Sequence, residues 1–339
     1  MADRIRPARA DGVVVAIALC LVCACVPSRL WSLDSGRIVF AGRTADWMTS
    51  IYRTDPSGTF FDELTEHDWS ASRPAWSGDG GAIAFTYSPQ GLTRRIYLMD
   101  PDGGDVRRLT NPPAPHADYG PTWSPADDAI AFTSSRGGVD RQGVYTVSLD
   151  GGAETRLTEL DRSAKWPSWR PTGDAIVYAS SRVGFLDIHV MDGKGRHVAQ
   201  LTDRDRLDMT PSWHPRGKAV AFSSGSADAR IGDGDIRTIE ADGSGERLLT
   251  THPADDIDPC WSPDGTEILF PSQRDGPRGL FIINVNDLSI RRVTEGIWGQ
   301  FRAIDGSSWY DPSVPRSVSP VGRHATTWGW MKRLGATTQ

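Results

Sequence analysis

The sequence predicts an all-β fold, a β-propeller of six four-stranded blades whose ring is closed by strands from both ends of the chain. Two observations predict it. Glycine (35) and proline (23) are frequent among the 339 residues, which favours many short strands joined by turns. A tryptophan also recurs every 44 to 48 residues, a period typical of propeller blades, at Trp76, Trp123, Trp169, Trp213, Trp261 and Trp309.

Each repeat reads as four strands. A short strand contains Pro-x-Trp, a turn of the Ser-Pro-Asp-Gly type follows, and a second strand has the pattern Ile/Val-x-Phe/Tyr. A third strand leads through an Asp/Gly turn to a fourth. The fourth strands end at Leu109-Thr110, Leu157-Thr158, Leu201-Thr202, Leu249-Thr250 and Val293-Thr294. Because one such sheet cannot bury both faces, we expect the blades to stack and the ring to close.

Ring closure needs a strand from the C-terminal part of the chain. Residues Gly36 to Thr65 supply three strands that lack a preceding tryptophan strand, and the segment Ser308-Trp309-Tyr310 is predicted to provide it. A second segment, 318–328, also resembles a blade start, so two closing strands remain open. We assign the propeller to residues 34–312 and the C-terminal tail, or part of the closing blade, to residues 313–339.

Residues 1–26 have the layout of a secretory signal peptide. Arginines precede an apolar run from Gly12 to Val26, which is shorter than the roughly 20 residues that a spanning helix needs. Val22-Cys23-Ala24-Cys25 resembles a bacterial lipobox, which predicts lipidation at Cys25. An ordinary leader cut near Ala24 and an uncleaved anchor are the alternatives.

Charge and motif content exclude several functions. With 37 basic and 43 acidic residues and a net charge of −6, the chain lacks the basic character of nucleic-acid partners. No Gly-x-Ser-x-Gly nucleophile elbow occurs, and the histidines lack metal-ligand spacing. Cys260 occupies a position held by small residues in other repeats, which favours core packing over nucleophilic catalysis. We therefore predict no catalytic residue, no metal and no cofactor.

Two sets of loop residues are candidates for binding. One set lies three residues before the repeated proline and could bind a cation or a basic partner segment, or could cap local backbone N–H groups: Asp118, Asp208 and Asp256. The other set follows the second strand and could bind carboxylates or phosphates, or could form ion pairs within a blade: Arg136, Arg182 and Arg274. The repeated tryptophans are expected to form the core between blades.

The repeated Pro-x-Trp segments and terminal Leu-Thr pairs resemble the TolB-type propeller repeat from about Ser35 to Trp309. The resemblance implies an envelope protein that binds other proteins, without catalysis. TolB carries an α/β domain before its propeller, whereas about ten residues separate the predicted leader from the first strand here. We therefore expect a stand-alone propeller in the periplasm or outer envelope, associated with a membrane through its leader or a lipid.

The expected partner is a protein or peptide, held by the loops at the mouth of the central channel. One alternative is a propeller enzyme, a lyase or hydrolase acting on glycans in the central cleft, which predicts carboxylates facing each other at ~5 to 10 Å. Another is a scaffold that holds no ligand and uses its rim as an interface.

Overall fold

A computed structural model describes residues 37–45, 47–65, 69–89, 93–150, 152–159, 162–181, 185–203, 205–226, 232–295 and 301–314. The chain divides into two parts, residues 1–33 and residues 34–339, and all described residues belong to the second part. The predicted signal peptide, the lipidation site Cys25, the loop residue Arg182 and the second closing segment, 318–328, lie outside the described residues.

Strands and turns make up nearly all of the described residues, with one short 3-10 helix at Val139–Arg141. The strands are β1 (Arg37–Arg43), β2 (Thr49–Thr54), β3 (Phe61–Glu63), β4 (Trp69–Trp76), β5 (Ile83–Pro89), β6 (Arg95–Met99), β7 (Arg107–Arg108), β8 (Asp118–Trp123), β9 (Ala129–Ser134), β10 (Gly143–Ser148), β11 (Thr155–Arg156), β12 (Ser163–Trp169), β13 (Ala175–Ser181), β14 (Leu186–Asp192), β15 (Ala199–Gln200), β16 (Leu207–Trp213), β17 (Ala219–Gly225), β18 (Asp235–Glu240), β19 (Arg247–Leu248), β20 (Cys260–Trp261), β21 (Glu267–Ser272), β22 (Gly279–Asn284), β23 (Ile290–Arg292) and β24 (Ala303–Tyr310). In the part of the chain that the structure describes, no helix is long and apolar enough to span a membrane.

Strand pairing groups these elements in fours. Unit 1 is β24-β1-β2-β3, unit 2 is β4-β5-β6-β7, and units 3 to 6 are separate sheets made of β8–β11, β12–β15, β16–β19 and β20–β23. One parallel pair, Thr49 with Ser70, links units 1 and 2 into an eight-stranded sheet. Strand β24 pairs antiparallel with β1 and places Trp309 opposite Ile38. The all-β propeller prediction is confirmed; the six-blade count and ring closure stay predictions, which this pairing supports.

The repeated aromatic residues build the core. The second strand of each unit buries at least one aromatic ring, and burying a phenylalanine side chain contributes about 1.5–3 kcal/mol. The tryptophans pack between units: Trp123 shares a cluster with Ile96 and Leu98 of unit 2, and Trp261 with Ile236 of unit 5. These two tryptophans therefore hold neighbouring sheets together.

The terminal Leu-Thr pairs have a specific structural role. In every unit the threonine hydroxyl accepts the backbone N–H of a third-strand residue 14 positions earlier, at 2.9 to 3.1 Å. The outer strands are only two or three residues long. The hydroxyl satisfies an N–H near the end of such a strand, while the short edge offers little template for pairing with another chain.

Candidate binding site in the central cavity

The inner strand of each unit is the strand that carries the repeated tryptophan. One residue in the left-handed backbone region lies within this strand in five units and two residues before it in unit 6. The register of the inner strand shifts at this point in units 2 to 5. Four of the six residues are not glycine, and a left-handed conformation costs such residues on the order of 1–3 kcal/mol. We call this set the bulge ring; it consists of Arg73, Gly120, Trp166, Thr210, Asp258 and Gly306, with φ between 48° and 73°.

The inner strands surround two adjoining cavities. The turn-side cavity, of about 480 Å³, is lined by all six repeated tryptophans and by the turns that follow them. The bulge-side cavity, of about 200 Å³, is lined by the bulge ring. Six small residues, one from each inner strand, line both cavities: Ala75, Thr122, Ser168, Ser212, Cys260 and Ser308. The larger cavity falls within the usual size range of ligand sites.

Arg73 lines the bulge-side cavity and contacts several units. Its Nη2 atom lies 2.9 Å from Oδ1 of Asp305, and its Nη1 atom lies 3.8 Å from Oδ1 of Asp258. The guanidinium carbon is 5.7 Å from the ring centroid of Trp166. One side chain from unit 2 therefore contacts residues of units 1, 4 and 6.

The carboxylates stabilise the charge of this arginine. Burial lowers the pKa of Arg73, but attraction to Asp258 and Asp305 outweighs it, so the pKa is raised overall. Burial raises the pKa of Asp305, and Asp258 adds to the rise while Arg73 opposes it. Asp305 is 43% exposed, whereas Asp258 is 9% exposed. Asp305 is thus the carboxylate that solvent reaches more readily.

Further polar groups surround the cluster. Lys165 Nζ lies 5.7 Å from the Trp166 ring centroid, and burial lowers the pKa of this lysine although Asp140 opposes the change. Tyr119 donates its hydroxyl to Gln142 at 2.6 Å. Burial raises the pKa of Tyr119 to about 12, so its hydroxyl stays protonated at neutral pH.

The loop residues predicted from sequence lie elsewhere. Asp118, Asp208 and Asp256 are fully buried. Arg136 Nη2 donates to Asp118 at 2.8 Å, and Arg274 Nη2 donates to Asp256 at 2.6 Å. The two predicted sets therefore contact each other inside units 3 and 6. This arrangement agrees with the interpretation of the arginines as members of ion pairs within a blade, and their partners are the predicted aspartates. A ligand-binding role for these residues stays a prediction, and their burial does not favour it.

Aromatic rings enclose these buried pairs. Arg136 lies 5.3 Å from the ring centroid of Tyr145, and Arg274 lies 5.2 Å from that of Phe270. Burial raises the pKa of Asp118, while a hydrogen bond from Ser134 and the charge of Arg136 oppose the rise. The arginines therefore pack on aromatic rings of the hydrophobic clusters as well as pairing with the carboxylates.

Sequence reasoning missed the bulge ring, although a signal for it was present. Its members stand immediately before the repeated proline in units 2 to 6. The three positions that follow repeat as proline, a small residue and tryptophan. The bulge position itself changes among arginine, glycine, tryptophan, threonine and aspartate, and the position before it varies as well. This variable pair next to a repeated segment was the available signal.

Cys260, which lines the turn-side cavity, and His214, which contacts a tryptophan of that cavity, have pKa values that favour their neutral forms. Burial raises the pKa of the Cys260 thiol to about 12, which agrees with packing rather than nucleophilic chemistry. His214 is buried, accepts the Arg216 N–H through Nδ1 at 3.0 Å and contacts the Trp261 ring edge-on at 4.7 Å. Burial, together with Lys218, lowers its pKa to about 4. Among the described residues no group of three His, Cys, Asp or Glu side chains could hold a metal ion.

Fold and cavity together define a β-propeller protein with a central ligand-sized space. The sequence matches the PD40 family, TolB beta propeller domain, over residues 22–231. The chain belongs to this family, and the resemblance noted from its repeats is confirmed.

Known proteins show where the likeness lies. The chain is 33% identical over 87 residues to "Uncharacterized peptidase YuxL" of Bacillus subtilis (strain 168), which covers 26% of this chain and 13% of that protein. It is 30% identical over 95 residues to "Tol-Pal system protein TolB" of Francisella tularensis subsp. mediasiatica (strain FSC147), covering 28% of this chain and 21% of that protein. The chain therefore spans a small part of both relatives.

A solved structure of TolB from Acinetobacter baumannii superposes with a TM-score of 0.68. Sequence identity is 21%, and the match covers 81% of this chain and 66% of that chain. This likeness shows a common fold.

Proposed function

We propose that this chain is an exported cell-envelope protein whose propeller binds a protein or peptide at the bulge-side cavity and performs no catalysis. The observation that carries the proposal is the bulge ring. Strained residues such as Arg73, Trp166 and Asp258 persist where glycine would be more favourable, and strain of this kind concentrates at functional sites. All three line one cavity.

Export and a protein partner have separate support. The predicted leader at residues 1–26 and the lipobox-like Cys25 favour the envelope, with a lipid anchor as the finer proposal. The name "Tol-Pal system protein" of the Francisella relative favours a protein partner. The mass of the mature N-terminus tests the first point: a lipidated Cys25 supports an anchor, and a chain that keeps residues 1–24 contradicts cleavage of a leader.

Capture of a partner tests binding. The full-length protein is immobilised, exposed to envelope extract of its own organism, and the retained protein is identified and titrated in purified form. Trp166→Gly serves as the test variant because Gly120 and Gly306 hold the same backbone conformation in other units. Relief of the backbone strain and loss of the packing of Trp166 against a hydrophobic cluster change the stability in opposite directions, so thermal denaturation first establishes that the variant is folded. We expect the folded variant to lose about tenfold in affinity.

Arg216→Ala, on the wall of the turn-side cavity, is the matched control and should bind normally. Failure to retain any partner, or equal binding by the wild type and Trp166→Gly, contradicts the proposal.

An enzyme acting on glycans in the central cavity is the second candidate. It is favoured by the placement of Asp258 and Asp305 around Arg73 and by the raised pKa of Asp305, since glycosidases combine two carboxylates of which one stays protonated. Envelope polysaccharide incubated with the protein, followed by a reducing-end assay, tests it. Product formation that Asp305→Asn abolishes supports the enzyme; absence of product supports binding alone.

A further inference from the structure

Arg73 has hydrogen-bonding capacity that its neighbours do not use. A guanidinium carries five N–H donors in a planar fork. Among the described residues its polar contacts are Asp305 at 2.9 Å and Asp258 at 3.8 Å, and only the first is within hydrogen-bonding distance. The side chain is 23% exposed and lines the bulge-side cavity. Donors are therefore available to a molecule that enters this cavity.

Gly306 of the bulge ring leaves room for Arg73. A Cβ atom at Gly306 would lie 2.9 Å from Arg73 Cα and 3.2 Å from its Cγ, so a larger residue there would crowd the arginine. A Cβ at Gly120 would lie 3.6 Å from Arg73 Cδ, which is an ordinary contact. The neighbouring unit 1 therefore accommodates this side chain through a glycine.

The electrostatics of the cavity favour one negative charge. Within the described part of the chain, the charged groups that act on Arg73 and Asp305 include three arginines, Arg73, Arg94 and Arg278, and two carboxylates, Asp258 and Asp305. Positive charge is in excess among these groups. A cationic guest would add to that excess, whereas a single carboxylate would neutralise it.

We propose that Arg73 binds a carboxylate of the guest, supplied by an acidic side chain or by the C-terminus of a peptide. The inference rests on the proposed peptide-binding function and specifies the chemical group of the ligand that Arg73 recognises. The ligand carboxylate binds N–H donors of Arg73 that Asp305 does not use, next to Trp166 and Asp258. Asp305, the more exposed of the two carboxylates, weakens this binding because it repels a second carboxylate and partly neutralises the guanidinium.

Four blocked tripeptides test this assignment by isothermal titration calorimetry on the full-length protein. Acetyl-Gly-Gly-Glu-amide offers a side-chain carboxylate and acetyl-Gly-Gly-Gly a terminal one. The corresponding glutamine and lysine amides are the neutral and cationic probes. We expect one or both carboxylate peptides to bind about tenfold more tightly than the glutamine peptide, the range of a charge-assisted hydrogen bond. Whichever of the two binds more tightly identifies the carboxylate source.

Variants tie the binding to the cluster. Arg73→Met should reduce the carboxylate peptides to the level of the glutamine peptide, and Asp305→Asn should strengthen them severalfold because the repelling charge is gone. Arg216→Met, in the turn-side cavity, is the matched control and should change neither. The two variants are expected to change the affinity for the carboxylate peptides in opposite directions, which distinguishes this assignment from a general loss of structure. If Arg73→Met does not fold, the affinity of Asp305→Asn still tests the proposal.

Preference for the lysine peptide, with weaker binding in Asp305→Asn, overturns the proposal, as does equal binding of the glutamine and carboxylate peptides. Failure here remains distinct from failure of the proposed function. A captured partner that binds wild type and Arg73→Met equally overturns the carboxylate assignment and leaves partner binding intact. Carboxylate peptides that bind as expected while no protein partner is retained support the assignment and contradict only the protein-binding function.

Discussion

The molecule contains arginine–aspartate clusters in two different settings. In units 3 and 6, Asp118 and Asp256 are fully buried and each receives a short hydrogen bond from an arginine packed on aromatic rings. In the bulge-side cavity, Arg73 contacts two carboxylates, one of them 43% exposed, and keeps donors for a guest. The comparison teaches that residue type alone does not identify a site. Burial of the carboxylate and access of the arginine to a cavity separate a structural pair from a binding group.

The largest expected effect comes from breaking a buried pair. Arg274→Met leaves Asp256 without its ion-pair partner in a fully buried position, and such a change costs about 3–5 kcal/mol. Urea denaturation measures the free energy of unfolding. A loss below about 1 kcal/mol would show that the buried pair and the cavity cluster do not differ as described.

Acid should reduce the free energy of unfolding through protonation of His214. The pKa of His214 in the folded protein is about 4, below the value of 6.5 for an exposed histidine. Between these two pH values the unfolded chain therefore binds a proton at His214 that the folded chain does not bind. The full stability is present above pH 6.5, and about 3 kcal/mol of it is lost as pH falls from 6.5 through 4.

His214→Ser tests that dependence because serine occupies the same turn position at Ser77, Ser124 and Ser262. Denaturation curves at pH 7 and pH 4.5 should show a smaller loss of stability on acidification in the variant than in the wild type. An identical loss in both proteins would assign the acid sensitivity to other groups.

A smaller effect is expected at the repeated threonines. Thr294→Val removes the acceptor of the Leu280 N–H and leaves a buried donor unsatisfied, which costs about 1–3 kcal/mol. Thr266→Val, whose hydroxyl bonds an exposed carboxylate, is the matched control and should stay within about 0.5 kcal/mol. Equal effects of the two substitutions in thermal denaturation would contradict the structural role of the Leu-Thr pair.

The smallest stability effect is expected in the cavity cluster. Asp305→Asn removes a partly exposed partner of Arg73, and such pairs contribute about 0–1 kcal/mol. Denaturation should therefore place this variant close to wild type, in contrast to Arg274→Met. A loss of 3 kcal/mol or more would assign the cavity cluster to the framework instead of to binding.

Much of the fold could be predicted because it depends on local, repeated chemistry. Pro-x-Trp, the glycine-containing turns and the terminal Leu-Thr pairs each recur at one place in a four-stranded unit, and β24 with Trp309 pairs with β1 as the repeat suggested. The competing segment, 318–328, lies outside the described residues, so the choice between the two closing strands stays a prediction.

The site could not be predicted to the same degree. Asp118 and Arg136 are 18 residues apart, and the sequence does not tell that they meet each other. Arg73 and Asp305 are more distant in sequence and come together only because units 1 and 2 adjoin around the cavity. The left-handed bulge that turns Arg73 inward depends on strand register, which the hydrophobic pattern does not specify at a bulge. Unit-to-unit variation before the repeated proline was the available signal.

The most direct test of the distinction between framework and binding pairs is a crystal structure of the protein with acetyl-Gly-Gly-Glu-amide. The glutamate carboxylate is expected in the bulge-side cavity, within 2.7–2.9 Å of an Arg73 nitrogen, with the Arg136–Asp118 and Arg274–Asp256 pairs unchanged. A peptide bound in the turn-side cavity, or a carboxylate that displaces Asp118 or Asp256 from its arginine, would contradict it.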